Sequence, residues 1–179
     1  MEGRVPHTGR VFNRLVLGNF IPCSTVIFRR RCIEQVGLFD TTGLVYGCED
    51  WDMWLRISRE YEFAYVDKCL AGYRVHSSNM SRSIGKMAKG QLMVLRKVFE
   101  NPGLSSDELA LKNKAYSSFH LRLAEIYYTS GDLSRSRREI LRSLRYDPFS
   151  LRSYVIFIKS LLGHRALKVL RDFRDSIAG

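Results

Sequence analysis

What this chain lacks narrows its class first. Its 179 residues contain no apolar run of about 18 residues, the length a membrane-crossing helix needs, and residues 11–17 are too short and too broken by Asn13 and Arg14 to serve. The first ten residues carry Gly3, Pro6 and Gly9 among polar neighbours, with no secretory apolar segment behind them, so they read as a frayed lead-in. The four cysteines, Cys23, Cys32, Cys48 and Cys69, show neither C-x-x-C pairs nor metal-ligand spacing, and are expected to be reduced core thiols in a cytosolic setting. Acids are scarce: 18 Asp and Glu stand against 29 Lys and Arg, a net charge of +11. That excess is spread along the chain, with Arg135, Arg137, Arg138, Arg142 and Arg145 making one basic stripe and residues 164–174 another. Charge of this kind suits nucleic acid or the anionic cytoplasmic leaflet of a membrane. No nucleic-acid module accompanies it, and core spacing accounts for Tyr127, Tyr128, Phe149 and Tyr154 better than base stacking does. Peripheral contact with the inner face of the membrane and an ordinary solvated charged face both remain open on charge alone.

What is present divides the chain in two. Residues 1–100 read as mixed α/β. Residues 24–29 are β-branched and aromatic enough for a strand, and residues 31–36 make a short helix stopped by Gly37. Residues 63–67 and 70–75 alternate weakly and are expected to pair as antiparallel strands across Asp67-Lys68, with His76 emerging at a strand end. From Ile84 a 3.6-residue apolar period predicts one helix, ended by Asn101-Pro102-Gly103. Residues 104–179 read as helical throughout. Ser105 and Glu108 have capping-box spacing, Gly131-Asp132 and Asp147-Pro148 break the remainder, and Gly163 divides the last segment. Ala124, Tyr127, Gly131 and Pro148 have the mutual spacing of one tetratricopeptide-like helix pair. A single pair cannot bury its own face, so a helical appendage that packs on the first region is expected rather than a regular array, with docking of a protein partner as an additional role.

The richest segment is Gly47-Cys48-Glu49-Asp50-Trp51-Asp52-Met53-Trp54-Leu55-Arg56. Trp51, Trp54, Leu55 and Ser58 fall at i, i+3, i+4 and i+7, which predicts an amphipathic helix with Glu49 and Asp50 at its N-terminal end. The positive end of a helix dipole favours ionised carboxylates, and helix capping alone accounts for some of the acids. Upstream stand Gly18-Asn19-Phe20-Ile21-Pro22 running to Arg29-Arg30, then Val36-Gly37-Leu38-Phe39-Asp40; downstream stands Tyr73-Arg74-Val75-His76.

This ordered set resembles the C-terminal half of family-2 glycosyltransferases of the GT-A fold, over roughly residues 10–82. The resemblance implies a partial GT-A domain whose Rossmann-like nucleotide-binding half is missing, so that the chain is a C-terminal portion with little or no transferase activity alone. It implies inverting transfer of a sugar from a nucleotide-sugar donor to a glycan or lipid-linked acceptor. Asp50 would be the general base, with Glu49, Trp51 and Asp52 in support at the acceptor. Trp51 and Trp54 divide between sugar stacking and core, Trp54 being assigned to the core. Arg74 would face the donor diphosphate or anchor its strand to Glu49 or Asp52. His76 would help bind the diphosphate or a divalent metal, magnesium or manganese, whose main D-x-D ligands the chain lacks. The other readings are a non-catalytic helical interaction module and a charge-driven surface binder.

Overall fold

A computed structural model describes residues 8–76, 79–80 and 83–162. Its chain divides into two compact units, one reaching Lys112 and the other beginning at Asn113.

In the first unit, α1 (Phe12–Leu15), a 3-10 turn (Cys23–Thr25), α2 (Arg30–Val36), α3 (Glu49–Glu60), α4 (Ile84–Phe99) and α5 (Ser106–Ala110) follow one another. Helix α3 is the hub and packs against α1, α2 and α4. Trp51, Met53, Trp54, Leu55 and Ile57 are all buried, so this helix is enclosed on more than the one face its period predicts. The indole N–H of Trp51 donates to the Leu15 carbonyl at 2.8 Å, and that of Trp54 to the Ile21 carbonyl at 3.2 Å. Phe28 and Phe39 meet the Trp54 ring edge-on. Gly37, at φ 85°, ends α2 as its sequence position predicts.

The α/β expectation is overturned. Among the described residues there is no strand and no sheet; the one β-type pairing is an isolated antiparallel bridge between Gly9 and Phe63. Residues 24–29 form the 3-10 turn and then an extended segment in which Ile27 is fully exposed. Residues 63–67 and 70–75 do not pair with each other, and Tyr65, Val66, Leu70, Tyr73 and Val75 are exposed. β-Branched and aromatic residues favour extended backbone, but a strand also needs a neighbour to take its N–H and C=O groups. Apart from Gly9 opposite Phe63, none of the described residues provides one, so the described residues do not form the sheet half of a GT-A fold.

The described part of the second unit is helical, as expected. α6 (Lys112–Thr129) and α7 (Leu133–Tyr146) are joined by a turn at Gly131, φ 84°, and Asp132 caps α7 by accepting the Arg135 N–H at 2.9 Å. Their contacts run in opposite order: Ser136 with Ala124, Glu139 with His120, Ser143 with Ser117, and Tyr146 stacked on Tyr116. The helices are therefore antiparallel. A further helical segment covers residues 151–162, reached through the Ser143–Ser153 hydroxyl contact at 3.1 Å. Small side chains allow the close approach, and each hydroxyl finds a partner. Core spacing misled for Phe149 and Tyr154, which are exposed, while Tyr127 and Tyr128 are half-buried. Gly163 and the second basic stripe lie outside the described residues.

Candidate functional site

The three carboxylates at the start of α3 have separate fates. Glu49 turns back to accept the Gly47 N–H at 2.9 Å, closing the turn ahead of the helix. Asp52, 3% exposed, takes Arg56 at 3.0 Å and Lys97 at 2.7 Å. Lys97 also reaches Asp40 at 2.7 Å, while Arg56 donates to the carbonyls of Val36 and Leu38. The acids and bases of the motif thus bolt the 36–40 turn and α4 onto α3. Burial works against the Lys97 charge, but hydrogen bonds to Asp40 and Asp52 outweigh it and raise its pKa. The Lys97 and Thr42 hydrogen bonds hold Asp40 well below the usual carboxylate range.

Asp50 differs from both neighbours. It is half-buried, and among the described residues no ion pair reaches it. It accepts the Trp51 N–H at 2.6 Å and a hydrogen bond from Asn19. The Asn19 carbonyl oxygen is itself fixed by the Ile21 N–H at 3.0 Å, so the amide is oriented toward the acid. Burial pushes the Asp50 carboxyl up, the Trp51 and Asn19 hydrogen bonds oppose it, and Glu49 adds to the rise; the net shift is upward. The charge of Asp50 is felt nearby. The exposed Cys23 thiol is raised by burial and by Asp50. The buried Cys48 thiol is pushed up to about 12 by burial and then by Asp50 and Glu49, so it is an inert packing group.

The remaining sequence candidates lie elsewhere. Trp51 is 2% exposed, with its indole N–H committed to Leu15, and Trp54 is equally deep. Arg74 and His76 stand exposed on an extended segment, their carbonyls accepting from the Asn79 side chain and backbone N–H. The polar partners of Glu49, Asp50 and Asp52 come instead from Gly47, Trp51, Asn19, Arg56 and Lys97. No group of three or more His, Cys, Asp or Glu side chains converges among the described residues. Cys32 and Cys48 are core thiols as expected, whereas Cys23 and Cys69 are exposed. No described helix is long and apolar enough to cross a membrane.

Sequence reasoning assigned no role to Asn19 or Lys97. Asn19 stands in the Gly18-Asn19-Phe20 run, so its motif position was the available signal; Lys97 had none, because its carboxylates lie far away in the chain. Comparison with known protein families, with curated proteins and with solved structures found no match. With no sheet among the described residues and no family match, the glycosyltransferase-family resemblance of the sequence is not upheld.

Proposed function

We propose that the first unit activates an acceptor hydroxyl for glycosyl transfer, with Asp50 taking the proton as a sugar moves from a nucleotide-sugar donor. The observation that carries this is the isolation of Asp50: its two acidic neighbours are committed to structural partners, while Asp50 stays half-buried with its pKa raised. A carboxylate of raised basicity removes an alcohol proton more readily, and general-base assistance of this kind contributes about 10²–10⁴-fold. Asn19 and the Trp51 N–H fix where its lone pairs point. A single displacement at the anomeric carbon inverts the configuration.

The test separates acceptor engagement from turnover. Titration of the full chain with a panel of hydroxyl-rich saccharides should find a ligand whose affinity falls about tenfold or more in Asp50→Asn. Turnover by the chain alone is expected to stay low, because the described residues gather no metal set for a diphosphate. If no saccharide distinguishes Asp50→Asn from the parent, the proposal fails.

A second reading rests on the helical segment at residues 151–162. Leu151, Val155, Ile158 and Leu162 recur at helical spacing and are exposed, as is Phe149 at 89%. Such a face suits a partner helix. This reading predicts protein binding through that unit, unaffected by Asp50→Asn.

A further inference from the structure

We infer that the groove between the 43–46 loop and α4 docks the anionic headgroup of a phospholipid at a bilayer surface. The assignment goes beyond the role of Asp50 and does not depend on it.

Two glycines shape the groove. Gly43, at φ 79°, turns the loop, and at Gly90 a Cβ would run into the Tyr46 carbonyl, so only glycine lets that backbone lie against α4. The opening that results is about 510 Å³. Leu44, Tyr46 and Met93 supply apolar lining; Lys86, Lys89 and Arg96 supply cations; no carboxylate lines it. Positions 86, 89, 93 and 96 fall at i, i+3, i+7 and i+10, one stripe along α4.

The cations of this helix are divided in use. Lys97 is consumed internally by Asp40 and Asp52. Lys86 and Lys89 have no ion pair among the described residues, and Arg96 meets only the exposed Glu100 at 4.0 Å. The Lys86 ammonium lies 5.4 Å from the Tyr46 ring centroid, a contact that leaves it able to meet an anion. Like charges on one helix stripe repel, and an anion in the groove relieves that repulsion. The same groove presents apolar surface, with Leu44 58% exposed beside the lysines. A phospholipid satisfies both halves: its phosphate meets the cations, and its first methylenes cover Leu44 and Met93. Nucleic acid or free phosphate would satisfy the cations alone.

The experiment is co-sedimentation of the full chain with vesicles of phosphatidylcholine alone and of equimolar phosphatidylcholine and phosphatidylglycerol. The chain should pellet with the anionic vesicles only. Each cation at such a surface contributes about fivefold, so Lys86→Gln with Lys89→Gln should lower partitioning about thirtyfold. Leu44→Ser, which removes apolar surface and leaves the charge unchanged, should weaken it further. Arg138→Glu with Arg145→Glu, which changes net charge twice as much on exposed positions of α7, should have the smaller effect. Because Lys86, Lys89 and Leu44 are exposed, unchanged circular dichroism is the folding control. Failure to bind anionic vesicles, or equal losses from the α4 and α7 pairs, would overturn the proposal. So would Leu44→Ser without effect, since the groove would then be no more than a charged surface.

Discussion

At the scale of single residues, Asp50 holds a charge that the fold disfavours. Its pKa is raised, so the folded chain keeps this proton to higher pH than the unfolded chain does. Ionisation therefore costs stability above the ordinary carboxylate range, and that cost vanishes below the unfolded pKa of about 3.9. Asp50→Asn removes the cost and keeps an acceptor for the Trp51 N–H. The positive end of α3 pulls the other way by about 0.3–1 kcal/mol, so the expected gain at pH 7 is small, under about 1 kcal/mol. Urea unfolding should show that gain shrinking toward pH 4. A loss above about 1 kcal/mol would make Asp50 a structural acid. Cys23 reports on the same charge. In a Cys69→Ser background it is the one exposed thiol among the described cysteines, and Asp50 raises its pKa. Asp50→Asn should then increase the Cys23 thiolate population and speed iodoacetamide alkylation at pH 8 about twofold. An unchanged rate would mean that Asp50 is not ionised beside it.

At the scale of elements, the segments that were legible are those whose signals are local. The α4 helix spans Ile84–Phe99 as its period predicts, and the Ser105–Glu108 capping box forms with both hydrogen bonds. The failed strands depended on partners that composition does not name, as the exposed Tyr65, Val66 and Val75 demonstrate. The candidate site divides likewise. Asp50 and Glu49 were legible from their place at a helix start, whereas the Asp40–Lys97–Asp52 bridge joins Asp40 to Lys97 across 57 positions and left no trace in spacing. That bridge holds α4 and the 36–40 turn against α3. Lys97→Met leaves Asp52 with Arg56 alone and should cost about 2–3 kcal/mol at pH 7 by chemical denaturation. Asp40 is held below its ordinary pKa, so the stability it confers is present above about pH 4 and is lost as pH falls through its folded value. The Lys97→Met penalty should accordingly shrink as the pH is lowered. A penalty that does not change with pH would mean that lost packing, not charge, is responsible.

At the scale of the molecule, charge and the placing of the unit boundary act together. Helix α5 belongs with the first unit because Arg59 on α3 pairs with Glu108 at 3.0 Å and also binds the Gly103 carbonyl. Those partners lie far from Arg59 in sequence, so the Asn101-Pro102-Gly103 break does not by itself show which unit α5 joins. The same pair makes the first unit acid-sensitive. Burial opposes the Glu108 charge, but the Ser105 and Arg59 hydrogen bonds prevail and lower its pKa. In the second unit burial likewise opposes Glu139, and His120 at 2.7 Å and Arg142 at 2.7 Å prevail. Lowered carboxylate pKa values mean stability that is intact above the unfolded range, about 4, and withdrawn below it. Asp50 has the opposite sign and offsets only part of this. Protonation also removes the 18 negative charges and leaves 29 lysines and arginines to repel one another. Both units should therefore lose helicity below about pH 4, followed by circular dichroism at 222 nm, and sulfate should restore part of it by screening. Glu139→Gln removes one protonation event and its ion pairs at once. It should lower the stability of the second unit by about 2–3 kcal/mol at pH 7 and make that unit's remaining acid transition shallower. If the transition keeps its slope in Glu139→Gln, then general charge repulsion rather than this buried pair governs how the second unit unfolds in acid.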